Sequence, residues 1–384
     1  MATKVNGPLH VYPVALSNDE LNDLWRWLLW RQGVGQRKFD TAVEIADKTL
    51  GLHAARLPSP FATVLARASQ RLVSARFFTT EQEQLITVRC MRKTLHMLPL
   101  PLAAQAHSAT LHFRERDTLR RAINEGVDTA TLERCLVSLV NLLEQEGQLP
   151  HRDLEVRLAG KHFSVSAARL ALKMAWERGL VIYRNVSGGW NSEARQFVLT
   201  EKLFPGFALT IDRQEATTSL VRHYFDRYGP ASVADMMWWS GLSQGAIVEA
   251  MNVAGTEWVS VVSPWSPSAL YMLPERLKEF YASKRHIKLP LNLLAHEDVA
   301  LKAYADTRKR YLGDLAPERI FNPIGEVLPA ILNNGQVVGK WFLDARERSV
   351  HCDVFPEYSA HTDSAVLDKL AQRYTRLLNM HTVR

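Results

Sequence analysis

The sequence between residues 129 and 272 passes twice through the same order of elements, three helices followed by a β-hairpin. In the first copy, apolar residues recur at helical spacing over three segments, the last of which is capped by Ser164 and ends at Gly179. Two apolar runs then flank Gly188-Gly189, a pair typical of a hairpin tip. The predicted elements of this copy are helices over 129–145, 152–159 and 164–178 and strands over 180–184 and 195–200.

The second copy follows directly. Gly229-Pro230 predicts a turn after its first helix, and Ser243 is the predicted N-cap of its third helix. Its predicted helices cover 216–228, 232–240 and 243–253, and its predicted strands cover 258–262 and 269–272. This order of elements is the winged-helix plan. The sequence therefore predicts a mainly α fold with β-hairpins, in which winged-helix domains stand in tandem.

The segments on either side of the two copies differ from them. In the N-terminal part, Ser17 and Glu20 form a capping box that starts a helix, and a strand is expected over 90–98. In the C-terminal part, apolar residues alternate around the hairpin signal Asn334-Gly335, and an amphipathic helix follows over 364–380. We therefore predict a small C-terminal β-barrel-like domain with a closing helix. The predicted domains are 1–127, 128–213, 214–285 and 286–384.

Composition and short motifs exclude several classes of protein. The 384 residues carry 47 Lys and Arg against 40 Asp and Glu, and this net charge of +7 favours an anionic partner only modestly. Uncharged apolar runs fall short of ~18 residues, the N-terminus has no apolar leader, and the three cysteines form no CxxC pair. Nucleotide-binding GxxxxGK[ST] and GxGxxG, zinc-binding HExxH and the GxSxG elbow are absent. We expect a reduced, cytoplasmic, monomeric protein that has no membrane segment, metal or cofactor.

Four stretches, in the same order, are similar to one known family. They are the segment Met91 to His96, the segment Tyr228 to Leu242, the segment Leu293 to Asp306, which is similar to the family's LLPAFDEYLLGYRDR, and the segment Pro329 to Trp341. By these stretches the chain resembles the bacterial AlkZ/AlkX (YcaQ) DNA glycosylases, tandem winged-helix proteins that act on alkylated bases and interstrand crosslinks. The resemblance covers nearly the whole chain. It implies duplex DNA as the partner and hydrolysis of the N-glycosidic bond as the activity.

The chain departs from that family at the catalytic motif. Family members carry Gln-x-Gln or Gln-x-Asp after a helix of the first domain, where these side chains position water and stabilise the sugar cation. The matching segment here is Leu50 to Arg56, with His53 at the first polar position and Ala55 at the second. Alanine can do neither task, whereas a histidine with a pKa near ~6.5 can accept a proton from water. His53 is either that base or a loop residue that makes one hydrogen bond.

Five cations are candidate contacts for DNA phosphates. Arg56 directly follows the altered motif, and Arg92 and Lys93 lie in the first of the four similar stretches. Arg169 and Lys173 are spaced i, i+4 on the predicted recognition helix of the first copy, so they share a face. The alternative for each is a solvated surface charge.

Three further positions have two interpretations each. His96 is either an auxiliary catalytic group beside His53 or a histidine that holds its strand to a neighbour. Asp298 matches an acidic position of the family, where a helix cap is favoured over a catalytic role. Trp238-Trp239 is either a platform for stacking bases or part of a core, and its position in the middle of a helix favours the core.

These observations predict a DNA-repair glycosylase that hydrolyses the N-glycosidic bond of alkylated or crosslinked purines in duplex DNA. Ala55 keeps two alternatives open. One is a non-catalytic winged-helix protein that binds damaged DNA. The other is the same scaffold acting as an enzyme on a small electrophilic metabolite in a biosynthetic or self-resistance pathway. A log-linear decrease of DNA affinity with salt would separate the DNA-binding proteins from the small-molecule enzyme.

Overall fold

Helices and small sheets alternate along the chain. The computed structural model describes residues 9–73, 84–160, 163–187, 189–253, 256–283, 287–344 and 346–382. The fold is mixed α/β, with 51% helix and 20% strand, so it holds more strand than the predicted mainly α class implied. Within the described residues, no helix is both long and apolar enough to cross a membrane.

The N-terminal part places short helices around a three-stranded sheet. The predicted capping box is present: the Ser17 hydroxyl accepts from the Glu20 N–H at 3.2 Å, and the Glu20 carboxylate accepts from the Ser17 N–H at 2.8 Å. The elements are β1 (His10–Val14), α1 (Asn18–Arg31), α2 (Ala42–Lys48), β2 (Leu52–His53), α3 (Pro58–Arg67), α4 (Gln70–Val73), β3 (Leu85–Arg89), β4 (Leu95–Pro99) and α5 (Leu100–Asn124). The strand predicted over 90–98 begins only at Leu95, because a 3-10 turn at Met91–Lys93 separates β3 from β4.

The middle part follows the order predicted for the first copy. Its elements are α6 (Thr129–Glu146), β5 (Gln148–Leu149), α7 (His151–Ala159), α8 (Val165–Glu177), β6 (Val181–Asn185), β7 (Arg195–Leu199) and α9 (Thr200–Leu203). Ser164 caps α8 by accepting from the Ala167 N–H at 3.0 Å. Of the predicted hairpin tip, Gly188 lies outside the described residues. This part has a hydrophobic core of its own, formed by its three long helices and its hairpin.

The second copy also has the predicted order. Its elements are α10 (Arg213–Tyr228), α11 (Val233–Ser240), α12 (Gln244–Met251), β8 (Glu257–Ser263), β9 (Ser266–Met272) and α13 (Pro274–Ser283). Ser243 caps α12 as predicted. The hairpin of β8 and β9 gains a third strand, because β1 from the start of the chain pairs with β8 in parallel.

The C-terminal part is an open sheet covered by a helix, so the predicted barrel is wrong. Its elements are β10 (Asn292–Leu294), α14 (Val299–Lys302), α15 (Lys309–Leu312), β11 (Ala330–Asn333), β12 (Gln336–Asp344), β13 (Ser349–Val354) and α16 (Ser364–Met380). The strand order is β10-β11-β12-β13, and the edge strands β10 and β13 do not pair with each other among the described residues. The apolar face is covered by α16, whose Tyr374 packs on Trp341 of β12 with ring centroids 5.8 Å apart. The helix α16 thus buries the apolar face that would otherwise be buried by closure of the sheet into a barrel.

Side chains from distant parts of the sequence share one core. Trp25, Tyr228 and Tyr304, from the predicted first, third and fourth domains, lie in one cluster, with the Trp25 and Tyr304 rings 5.6 Å apart. Arg67 of α3 and Asp298, which precedes α14, form a fully buried ion pair with N···O distances of 2.6 and 2.8 Å. The N-terminal and C-terminal parts are therefore packed together, and the division into four domains stays a prediction.

Candidate active site

A pocket of about 180 Å³ lies where the N-terminal sheet meets α11 and the loop between β10 and α14. Cavities of ~150 Å³ hold a benzene ring, so this one has room for a single sugar or aromatic ring. The polar side chains that line it include His53, Arg92, His96, Glu297, Lys302 and Glu326. Ala55 lines it as well and adds no polar group.

Two buried histidines form one wall of the pocket. His53 of β2 pairs with His96 of β4 across the antiparallel ladder, and their rings meet edge to face with centroids 5.4 Å apart. The His96 Nδ1–H donates to the carbonyl of Thr94 at 3.3 Å. Neither ring nitrogen of His53 has a hydrogen-bond partner within the described residues. Such an unpaired buried imidazole is costly unless something else binds it.

Both imidazoles are neutral near pH 7. Burial is the largest cause in each case, because a low-dielectric surrounding disfavours the charged ring. For His53, the nearby His96, His296, Lys302 and Arg56 act in the same direction, and its pKa lies well below 6.5. For His96, burial lowers the pKa to about 4. The neutral His53 ring therefore has a free lone pair for accepting a proton.

A buried ion pair lines the pocket beside His53. The Glu297 and Lys302 side chains are 4% and 10% exposed, and Lys302 Nζ lies 2.7 Å from Glu297 Oε2 and 2.9 Å from Oε1. The same Oε2 lies 3.9 Å from His53 Nε2. The Lys302 ammonium also donates to the carbonyl of Gly325 at 3.2 Å. A carboxylate, an amine and a neutral imidazole thus converge on one small space.

The backbone around Glu297 is held in an uncommon conformation. Its φ of 57° lies in the left-handed region, which non-glycine residues seldom adopt. The Glu297 N–H donates to the carbonyl of Val327 at 2.9 Å, and the Val327 N–H donates to Glu297 Oε1 at 2.6 Å. The next residue, Asp298, caps α14 by accepting a hydrogen bond from the Ala300 N–H, which confirms the helix-cap interpretation. The Asp298 carboxylate also forms the ion pair with Arg67. The surrounding contacts therefore fix where the Glu297 carboxylate points, as is common for strained residues at functional sites.

The rim of the pocket carries charges of both signs. The Glu326 carboxylate forms an ion pair with the Arg56 guanidinium at 2.9 Å, and it lies 3.4 Å from His296 Nε2. Burial acts against ionisation of Glu326, but hydrogen bonds from Asn322 and Arg56 hold its pKa below the usual range. Arg56, with its side chain 55% exposed, is therefore a rim residue that is held by a carboxylate and reaches solvent.

Arg92 and Trp238 form a stacked pair beside the pocket. The Arg92 guanidinium lies 3.9 Å from the Trp238 ring centroid, and Lys302 lies 5.1 Å from the same centroid. Arg92 has a φ of 50°, so the 3-10 turn presents this side chain at a cost in backbone energy. Trp238 is half-buried beneath these cations, whereas Trp239 is fully buried and confirms the core interpretation for that residue. Trp238 is therefore a cation-binding surface in this structure.

Three predicted DNA contacts lie outside the pocket. Lys93 is exposed and pairs with Asp117 of α5. Lys173 donates to Thr118, the next residue of α5, at 2.5 Å. Arg169 is exposed and pairs with Glu155 of α7 at 3.1 Å. The structure thus brings His53, His96 and Arg92 together with Arg56 at the rim. Lys93 and Lys173 contact two consecutive residues of α5, Asp117 and Thr118.

Glu297 and Lys302 are the site residues that sequence reasoning missed. The signal was present in the stretch from Leu293 to Asp306. Aligned on Asp298, the similar family stretch LLPAFDEYLLGYRDR has Phe and Leu where this chain has Glu297 and Lys302. Two polar residues of opposite charge at two apolar positions predict a buried pair. Within the described residues, no group of three or more His, Cys, Asp or Glu side chains is arranged to hold a metal ion.

A pocket that brings together a buried imidazole, a carboxylate and an amine is typical of an enzyme site. A family model described as DNA glycosylase AlkZ-like matches residues 46–377, and the chain therefore belongs to the AlkZ-like DNA glycosylase family. Among solved structures, the fold is similar to that of the Streptomyces sahachiroi DNA glycosylase AlkZ. The TM-score is 0.75 at 19% sequence identity, over 94% of this chain and 98% of that one. No curated protein matches the sequence.

Proposed function

We propose that this chain hydrolyses the N-glycosidic bond of alkylated or crosslinked purines in duplex DNA. The observation that carries the proposal is the pair of His53 and Glu297, with Nε2 and Oε2 3.9 Å apart in the wall of the pocket. A water that donates one hydrogen bond to each of these acceptors keeps its oxygen lone pairs free for attack. The family supplies the reaction class, His53 is the polar residue of the altered motif, and Glu297 supplies the group that Ala55 lacks.

The chemistry needs a base and a negative charge. A purine alkylated at N7 is already cationic, so it leaves with little help from an acid, and the sugar becomes an oxocarbenium-like cation. In our proposal the neutral His53 accepts the proton of the attacking water. The Glu297 carboxylate stabilises the sugar cation, a task for which Ala55 has no group. His96 is then a positioning residue that packs against His53.

We propose that Arg56, Arg92, Lys93, Arg169 and Lys173 contact DNA phosphates. Arg56, Lys93 and Arg169 are exposed and hold carboxylate partners. Exposed ion pairs contribute only about 0–1 kcal/mol, so a DNA phosphate can replace the carboxylate at little cost. Lys173 is partly exposed and lies 3.8 Å from the buried Glu177, so part of its side chain remains open to a phosphate.

We propose that the two helix–hairpin units, 128–213 and 214–285, are winged helices. What supports this is the order of elements, three helices followed by the hairpin of β6 and β7 in one unit and of β8 and β9 in the other. In this arrangement α8 (Val165–Glu177) is a recognition helix that carries Arg169 and Lys173. Most of the pocket lining comes from the parts before and after, 1–127 and 286–384, and Trp239 of α11 completes it.

The test is single-turnover base release from duplex DNA that carries N7-methylguanine, with the wild type and the His53→Ala variant. We expect the wild type to release the base and His53→Ala to lose at least about 100-fold in rate, the range typical of a positioned base. His151→Ala, an exposed histidine on α7, is the matched control and should keep the rate. No release by the wild type despite tight DNA binding would favour the non-catalytic DNA-binding protein. No release and no binding would favour an enzyme for a small molecule.

A further inference from the structure

We propose that the same pocket has a second activity, in which Lys302 forms an imine with the aldehyde of an abasic deoxyribose and cleaves the DNA strand by β-elimination. The inference rests on the proposed function in one respect, because base release would produce the abasic sugar in this pocket. The chemistry itself applies to an abasic site of any origin.

Lys302 has the placement that a nucleophilic lysine needs. Its side chain lines the pocket together with His53 and is 10% exposed. Burial is the main reason that the pKa of its amine is lowered. The Glu297 carboxylate acts against this shift, and the positive charge of Arg92 acts with it. Desolvation and a neighbouring cation are the two devices by which proteins make a lysine nucleophilic.

The two proton acceptors of the reaction are also present. Glu297 Oε2, 2.7 Å from Lys302 Nζ, takes a proton from the ammonium and leaves the neutral amine. His53, neutral and without a hydrogen-bond partner within the described residues, lies 3.9 Å from the same oxygen. An amine, its base and a second base therefore border one cavity large enough for a sugar ring.

The bonding changes balance. The Lys302 nitrogen lone pair attacks C1′ of the open-chain aldehyde, and the carbonyl electron pair moves to oxygen. One proton moves from nitrogen to that oxygen, and Glu297 returns to the resulting hydroxyl the proton that it took from Lys302. Water then departs, which breaks the C1′–O bond and leaves a protonated imine. His53 then takes a proton from C2′, the C–H electron pair forms the C2′=C3′ bond, and the C3′–O bond breaks with its pair on the phosphate. Water hydrolyses the imine and frees Lys302.

The competing explanation is a purely structural ion pair. Such a pair is a weak source of stability, because apolar residues of similar volume do as well or better in its place. Glu297 and Lys302 lie in the wall of a pocket, where buried titratable groups cluster at functional sites. Their place beside the unpaired His53 favours chemistry over packing.

The experiment is borohydride trapping on duplex DNA with one preformed abasic site, so that no base release is needed. We expect the wild type to give a covalent complex, with the reduced sugar mapped to Lys302 by mass spectrometry of the digested protein. Lys302→Arg keeps the charge opposite Glu297 but cannot form an imine, so trapping should fall at least about tenfold. The matched control is Lys38→Arg, which should trap like the wild type. Lys38 is a lysine outside the pocket whose ammonium donates to the carbonyl of Ala66 at 2.7 Å and whose pKa is lowered by desolvation to about 8.

Three results decide the proposal. No complex, or an adduct on a different amine, would overturn it. The adduct is mapped on the wild-type protein, so this result does not depend on whether a variant folds. Release of N7-methylguanine without trapping would overturn this inference and leave the proposed function intact. Trapping at Lys302 without release would support the inference and contradict the proposed function.

Discussion

Replacement of Glu297 by glutamine tests whether a carboxylate from the C-terminal part stabilises the sugar cation. Glu297 Oε2 lies 3.9 Å from His53 Nε2, and in our proposal the sugar cation sits against both atoms, about 4 Å from the carboxylate. Two unit charges ~4 Å apart interact by about 4 kcal/mol at an effective dielectric constant of ~20. Lys302, 2.7 Å from the same oxygen, offsets part of this, and we take roughly half as remaining.

The predicted loss in single-turnover base release is therefore between about 30-fold and about 1000-fold, since each ~1.4 kcal/mol is a factor of ten. Glutamine retains an acceptor for the Val327 N–H, so the fold should persist, as urea unfolding of both proteins would show. Glu326→Gln is the matched control, because Glu326 lines the same pocket but is 26% exposed and is paired with Arg56 at the rim. A rate for Glu297→Gln within about threefold of the wild type would refute the assignment of charge stabilisation to this residue.

Three further predictions concern pH, stability and salt. Burial and nearby positive groups lower the pKa of His53 well below 6.5, so its neutral form persists in mild acid. The rate of base release should therefore stay constant from about pH 8 to 6. A rate that halves near pH 6.5 would show that the base has the pKa of an unperturbed histidine. Arg67→Met leaves Asp298 buried and unpaired and should lower the free energy of unfolding by about 3–5 kcal/mol, which urea titration measures; the double variant with Asp298→Asn should cost much less than the sum of the single changes. Lys93→Ala should reduce the slope of log affinity against log salt by about 1, and Lys369→Ala on α16 should not; an unchanged slope would remove Lys93 from the DNA contact.

Local signals in the sequence were sufficient to predict the helices and the hairpin strands of the two repeated units. The spacing of apolar residues and the caps at Ser164 and Ser243 predict helix ends to within a few residues, because the groups that satisfy a helix end lie close by in the chain. The same kind of signal marked the turn Asn334-Gly335 between β11 and β12. It could not reveal whether that sheet closes, since closure depends on pairing between distant edges and on what else covers the apolar face. Here α16 covers it.

The candidate site is harder to predict because it is assembled from segments far apart in sequence. His53 and His96 were proposed as neighbours, and the ladder of β2 and β4 places them side by side. Glu297 reaches them only because Arg67 and Asp298 join α3 to the start of α14, an interaction across 231 residues. No periodicity or spacing encodes that contact. The ion pair of Glu297 and Lys302 is spaced i, i+5 across the start of the short helix α14, so it also lacks an i, i+4 signature.

The position of Glu297 changes what the altered motif means. Ala55 removes a polar side chain from the segment that follows β2, but in our proposal the sugar cation responds to the field in the pocket and not to the element that supplies it. Ala55 lines the pocket with a small side chain. The loop between β10 and α14 places the Glu297 carboxylate in the same pocket, where the Val327 N–H and the capped start of α14 hold it. The carboxylate is buried, so it acts at a lower effective dielectric constant than a surface group. A site of this kind keeps the requirements of glycosidic hydrolysis, a neutral base and a negative charge within about 4 Å of each other, although the motif that usually marks them is absent.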